Sequence, residues 1–128
     1  MKSKRFIRRR GPETMKRPLY RVAWEHKASF TYAMVASEGD VVSVGREDSE
    51  MPGWFWCKDS ESVEMWVPST HLRIDGAKGV FNQPYNSIEL TVEVGDVVQL
   101  LGETLGWAEC LDGKWRYGWV PSDKLEPA

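Results

Sequence analysis

Apolar and β-branched residues come in short runs closed by glycine, proline or an acidic turn, and no stretch carries the period of an amphipathic helix. Strands are predicted at Leu19 to Trp24, Val41 to Val44, Trp54 to Lys58, Val63 to Val67 and Leu72 to Ile74. Between the first two lies a polar and aromatic loop, Glu25 to Glu38, with His26, Phe30 and Tyr32. Gly39-Asp40 reads as a turn, Arg46 to Gly53 as an acidic loop, and Asp59 to Ser62 as a hairpin connection. Pro68 stops its strand because it cannot donate to the ladder, and Ser69-Thr70-His71 suggests a single 3₁₀ turn. After Asp75-Gly76-Ala77-Lys78 the series resumes at Gly79 to Phe81, Val97 to Leu101, Trp107 to Leu111 and Trp115 to Val120, with Leu111-Asp112-Gly113-Lys114 as a tight turn.

The series is a repeat. Gly53-Trp54-Phe55-Trp56-Cys57 leads to Trp66-Val67-Pro68-Ser69, and Gly106-Trp107-Ala108-Glu109-Cys110 leads to Trp119-Val120-Pro121-Ser122 at a shift of 53. The upstream Gly-Asp-Val-Val at Gly39 and Gly95 is shifted by 56, so the first copy carries a three-residue insertion between Gly45 and Gly53. Duplicated short strands with turn residues predict an all-β protein of two tandem five-stranded barrels. The expected organisation is a tail at 1–18, units at 19–74 and 79–126, and a linker at 75–78. So short a linker predicts that the units touch.

Composition adds three constraints. Two units from 128 residues are each close to the lower size limit for independent folding, and the seven tryptophans supply core area that such short chains lack. The two cysteines, Cys57 and Cys110, occupy equivalent strand positions, and alternation points each into its own core as a free thiol. The net charge of −2 divides unevenly: residues 1–18 carry eight Lys or Arg against Glu13, while the rest of the chain is acidic. No apolar run is long enough to span a membrane or serve as a secretory segment, so the cytoplasm is the expected location.

From Gly79 to Glu126 the residues resemble a Src-homology-3 domain. Gly79-Val80-Phe81-Asn82 stands where that family has Ala-Leu-Tyr-Asp, and Glu89-Leu90-Thr91-Val92 where it has Glu-Leu-Ser-Phe. Gly95-Asp96-Val97-Val98, Gly106-Trp107 and Gly118-Trp119-Val120-Pro121-Ser122 follow its later motifs in order. The first unit is similar through Gly39-Asp40, Gly53-Trp54 and Val67-Pro68-Ser69, and the tandem pair resembles the bacterial variant SH3-like proteins.

The resemblance implies a non-catalytic module that binds a peptide of a partner protein, without cofactor or metal. Its grooves would be Trp24, Trp54, Pro68 and His71 in the first unit, and Phe81, Trp107, Pro121 and Lys124 in the second. His71 and Lys124 stand where the family has a tyrosine, and His26 and Gln83 near another, which weakens the case for ordinary polyproline recognition. Glu47, Asp48 and Glu50 adjoin Trp54, so a ligand bearing Arg or Lys would meet both rings and carboxylates. Trp54 and Trp107 either wall such grooves or pack the two units against each other. A second function class, nucleic-acid or ribosome association, would rest on Arg8, Arg9 and Arg10, and the same tail offers a route to self-association. The two histidines, the cysteines and the carboxylates show no spacing for a metal or a nucleophile.

Overall fold

The computed structural model describes residues 17–128. The first half of the chain forms β1 (Leu19–Val22), β2 (Val35–Ala36), β3 (Val41–Glu47), β4 (Trp54–Lys58), β5 (Glu64–Pro68) and β6 (Leu72–Asp75). The second half forms β7 (Lys78–Phe81), β8 (Tyr85–Asn86), β9 (Val97–Thr104), β10 (Trp107–Leu111), β11 (Tyr117–Pro121) and β12 (Leu125–Pro127). Single 3₁₀ turns at Ser69–His71 and Ser122–Lys124 follow the two proline-ended strands. The fold is all-β. Its two large sheets, in the orders β5-β4-β3-β7-β6 and β11-β10-β9-β1-β12, have the five strands expected of each but are open sheets, not closed barrels.

The sheets do not follow the order of the repeats. β7, the first strand of the second unit, pairs with β3 and β6 of the first, as in Val41 with Val80 and Leu72 with Phe81. β1 takes the matching place between β9 and β12, as in Arg21 with Val97 and with Glu126. The cause lies at the junction. Asp75 pairs with Lys78, so 75–78 is a tight hairpin turn around Gly76 (φ 63°) and not a linker between sheets. Two turn residues cannot carry the chain out of its sheet, so β7 must lie beside β6 and β1 fills the position this leaves next to β9.

The exchange aligns the copies in a register that the motifs alone do not give. Val22 and Phe81 become equivalent, both fully buried, and His26 becomes the equivalent of Tyr85. His26 bridges to Val92 just as Tyr85 pairs with Ala36 in the two-stranded β2-β8 ladder.

Each sheet covers its own core. Met34, Val42, Cys57, Met65, Val67, Leu72, Phe81 and Tyr85 form the first, and Val22, Leu90, Val92, Val98, Ala108, Cys110 and Val120 the second. The cysteines therefore point into separate cores as free thiols, and burial pushes Cys57 up to about 11 and Cys110 up to about 12. Two residues cross over: Trp119 stands on β11 but is buried in the first core, and Trp107 on β10 packs against that core.

The repeated Gly-Trp lies on the seam between the sheets. Gly53 and Gly106 have φ of 89° and 92°, a left-handed conformation that favours glycine. A Cβ on Gly53 would come 2.7 Å from Leu105 Cδ1, and one on Gly106 3.1 Å from Met51 Cε, so each turn presses on the opposite unit.

Candidate functional site

A cavity of about 260 Å³ opens on this seam. Its walls come from both units: Phe30 in the loop after β1, Trp54 on β4, Trp66 on β5, Trp107 on β10 and Trp119 on β11. Strand alternation explains the tryptophans. Trp54 and Trp107 begin strands whose second and fourth residues point into the cores, leaving the indoles on the faces that meet. Trp54 lies 6.2 Å from Trp107 at 61° and 6.3 Å from Trp119 at 89°, both edge-to-face contacts. The Trp54 indole N–H donates to the Leu105 carbonyl at 2.9 Å, and that of Trp119 to the Asn86 carbonyl at 2.8 Å.

Two carboxylates face the rings, Asp48 and Glu89. Glu89 is fixed: its Oε1 accepts from His26 Nε2–H at 2.8 Å and from the Ser29 amide at 3.0 Å. His26 in turn sets its ring edge-on to Trp107, with centroids 5.7 Å apart. Asp48 Oδ1 accepts from the Glu50 amide at 2.9 Å. The arrangement is a small aromatic chamber with negative charge at its wall.

Beside the chamber, the Arg46 guanidinium carbon sits 5.6 Å from the Trp56 ring centre and 5.2 Å from that of Trp66. Both distances are within cation–π range. Trp56 and Trp66 are 5.0 Å apart, and the Trp56 indole N–H donates to Glu64 Oε1 at 2.7 Å.

Of the residues singled out from the sequence, the cavity gathers Trp54, Trp107 and Asp48. Glu47 instead supports the turn, its Oε2 accepting from the Gly53 amide at 2.8 Å, and Glu50 is exposed. Trp24 is 64% exposed and its backbone lies against Lys124, on the second unit, away from Trp54 and His71. Phe81 is fully buried in the first core, so it cannot wall an open groove with Trp107, Pro121 or Lys124. The exchanged strands separate both expected groups. Pro121 and Lys124 are partly exposed on β11 and its 3₁₀ turn. Arg8, Arg9 and Arg10 lie outside the described residues.

The first groove is closed. Trp54 is only 6% exposed, Pro68 and His71 are buried, and the His71 ring packs edge-on to Tyr85 at 5.3 Å and Trp119 at 6.3 Å. Trp54 thus does pack the units together, while Trp107 stays half-buried at the cavity.

Burial lowers the pKa of His71, a pull that the charge of Glu109 partly opposes. The unfolded chain then takes up this proton at a higher pH than the folded one, so the contribution of His71 is fully present above about pH 6.5 and lost as pH falls below it. The urea midpoint is expected to drop between pH 7.5 and 5.5, and to drop less in His71→Gln. An equal drop in both would show that His71 carries none of it.

Sequence reasoning missed Phe30, Trp66, Trp119 and Glu89 as cavity residues. Trp66 and Trp119 were visible as the repeated tryptophan before Val-Pro-Ser, a signal that marks a strand as readily as a wall.

Residues 80–128 match the family model of the variant SH3 domain. The match covers that stretch alone, and the all-β fold is consistent with an SH3-like protein. Domains of this kind are in general non-catalytic modules for protein interaction. The matched stretch is divided in space: β7 lies in the first sheet, β9 to β12 in the second. None of the curated proteins matches the chain. Among the described residues no helix is long and apolar enough to cross a membrane.

Proposed function

We propose that this protein is a non-catalytic peptide-binding module, and that its site is the seam cavity, which takes a cationic side chain from an extended segment of a partner protein. The observation that carries the reading is the joining of the rings of Phe30, Trp66 and Trp107 to the carboxylates of Asp48 and Glu89 in one chamber. A desolvated cation over aromatic faces gains about 2 kcal/mol, and a charge-assisted hydrogen bond to a carboxylate adds to it. Arg46 over Trp56 and Trp66 supports the preference, since a guanidinium already rests on this aromatic wall. A proline ligand is disfavoured, because Pro68 is fully buried and the His71 ring packs against Trp119.

The test is titration of the protein with capped peptides centred on Arg, Lys or norleucine, followed through the indole N–H resonances. Cationic peptides are expected to shift Trp66 and Trp107 while leaving Trp24 and Trp115, both exposed, in place. Asp48→Asn keeps the acceptor for the Glu50 amide and should weaken binding three- to tenfold, roughly the 1 kcal/mol of one such contact. Equal shifts with norleucine peptides would count against a cation site.

A further inference from the structure

The two units differ at one edge. In the β4–β5 hairpin the Ser69 amide donates to the Gly53 carbonyl and the Asp59 amide to the Val63 carbonyl. The ladder bonds therefore fall at Phe55 with Val67 and Cys57 with Met65, and the N–H and C=O of Trp66 point away from β4. β5 is an edge strand, so that direction leads out of the sheet.

Trp119 stands in the same position on β11, also an edge. There the chain covers its own edge. The Trp119 N–H donates to the Ile88 carbonyl at 2.9 Å, its carbonyl accepts from the Leu90 N–H at 3.0 Å, and Glu89 forms a parallel bridge to Trp119.

By the shift of 56 the corresponding segment of the first unit is Tyr32 to Met34. It is tied elsewhere: the Met34 N–H donates to Ser87 Oγ at 2.8 Å and the Met34 carbonyl accepts from the Ser87 N–H at 3.0 Å. Tyr32 reaches the edge only through its hydroxyl, which donates to the Glu64 carbonyl at 2.9 Å. The Trp66 carbonyl accepts from the Tyr85 hydroxyl at 2.8 Å, and among the described residues nothing accepts from the Trp66 N–H. Trp66 and Met65 line the cavity together with Ser29, Phe30 and Ser87.

We infer that β5 takes an extended segment of a partner polypeptide as an added parallel strand at Trp66, in the way Ile88 to Leu90 caps β11. The inference rests on the peptide-binding reading above and assigns its backbone register. One ligand residue sits opposite Trp66. The carbonyl before it accepts from the Trp66 N–H, and the N–H after it donates to the Trp66 carbonyl, whose second lone pair is open beside the Tyr85 hydroxyl. The residue supplying that N–H cannot be proline. Main-chain bonds fix direction and register, while the cavity with Asp48 and Glu89 selects the cationic side chain.

The experiment uses the full chain, ¹⁵N-labelled, with a library of capped heptapeptides bearing a central arginine, and an N-methyl scan of the tightest binder. Saturating peptide is expected to slow exchange of the Trp66 amide by at least about tenfold. N-methylation at one backbone position should weaken binding about tenfold, the equivalent of roughly 1.4 kcal/mol, with less than about threefold at its two neighbours. Shifted Trp66 and Trp107 indoles with unchanged Trp66 amide exchange and a flat scan would overturn the added strand and leave the cavity reading standing. Absence of any indole shift across the library would overturn both. Slowing of Trp66 exchange by rising protein concentration alone would assign the edge to a second copy and overturn the inference.

Discussion

Replacing Trp119 by alanine is expected to cost about 3–5 kcal/mol of stability, the range for a buried tryptophan truncated to alanine. The side chain is 3% exposed and belongs to β11 of one sheet while filling the core of the other. Its loss removes the edge-to-face contacts with Trp54 and His71, and strips the Asn86 carbonyl of the indole N–H. Against a usual total of about 5–15 kcal/mol, such a loss brings the folded state near its limit. Trp119→Phe restores most of the volume without the N–H, so it should cost about 1–3 kcal/mol, the penalty of an unsatisfied buried acceptor. Trp66→Ala, at the equivalent position of the repeat, should cost clearly less, because that ring is only half-buried. Urea unfolding of the three variants checks the ranking. Equal losses for Trp66→Ala and Trp119→Ala would mean that the units are packed symmetrically and that Trp119 does not hold the seam.

Phe81→Ala is expected to cost a similar 3–5 kcal/mol, and the location of the damage is more informative than its size. Phe81 is fully buried beside Cys57, whereas Val22 is fully buried beside Cys110. In the wild type both thiols are buried and shifted far above neutral pH, so they should react slowly with thiol reagents at pH 7.5. Phe81→Ala should speed labelling of Cys57 over Cys110, and Val22→Ala, at a cost of about 2 kcal/mol, should do the reverse. About 1.4 kcal/mol of local loosening corresponds to tenfold in labelling rate. If each strand stayed with its own unit, the pattern would be inverted, with Val22 protecting Cys57.

Much of the architecture is legible in the sequence. Val-Val-Ser-Val at Val41, the tryptophan strands and the Pro-Ser turns fall where alternation and turn residues put them, and the two cysteines enter separate cores as their repeat positions demand. Local chemistry decided these features. The sequence starts β11 two residues early because Trp115 looks like a strand residue, but it adopts φ of 64° in the turn and is 72% exposed.

What stayed hidden was the choice of partner among equivalent strands. A repeated sequence offers β1 and β7 the same two places, and periodicity cannot distinguish them. The arbiter, the two-residue turn at Gly76 and Ala77, was in plain view but read as a linker. The motif comparison separately set Trp24 against Phe81, where the strand pairing sets Val22. The seam cavity followed from neither copy by itself, since Phe30, Trp66 and Trp107 meet only after the units are joined.

The reciprocal exchange of first strands underlies both the seam and its cavity, and cross-strand Hα–Hα NOEs test it most directly. Short Hα–Hα contacts are expected between Arg21 and Val97 and between Val41 and Val80, pairs that face each other in β1–β9 and β3–β7. Contacts of Arg21 with Val41 and of Val80 with Val97 would place each strand in its own unit and contradict the account.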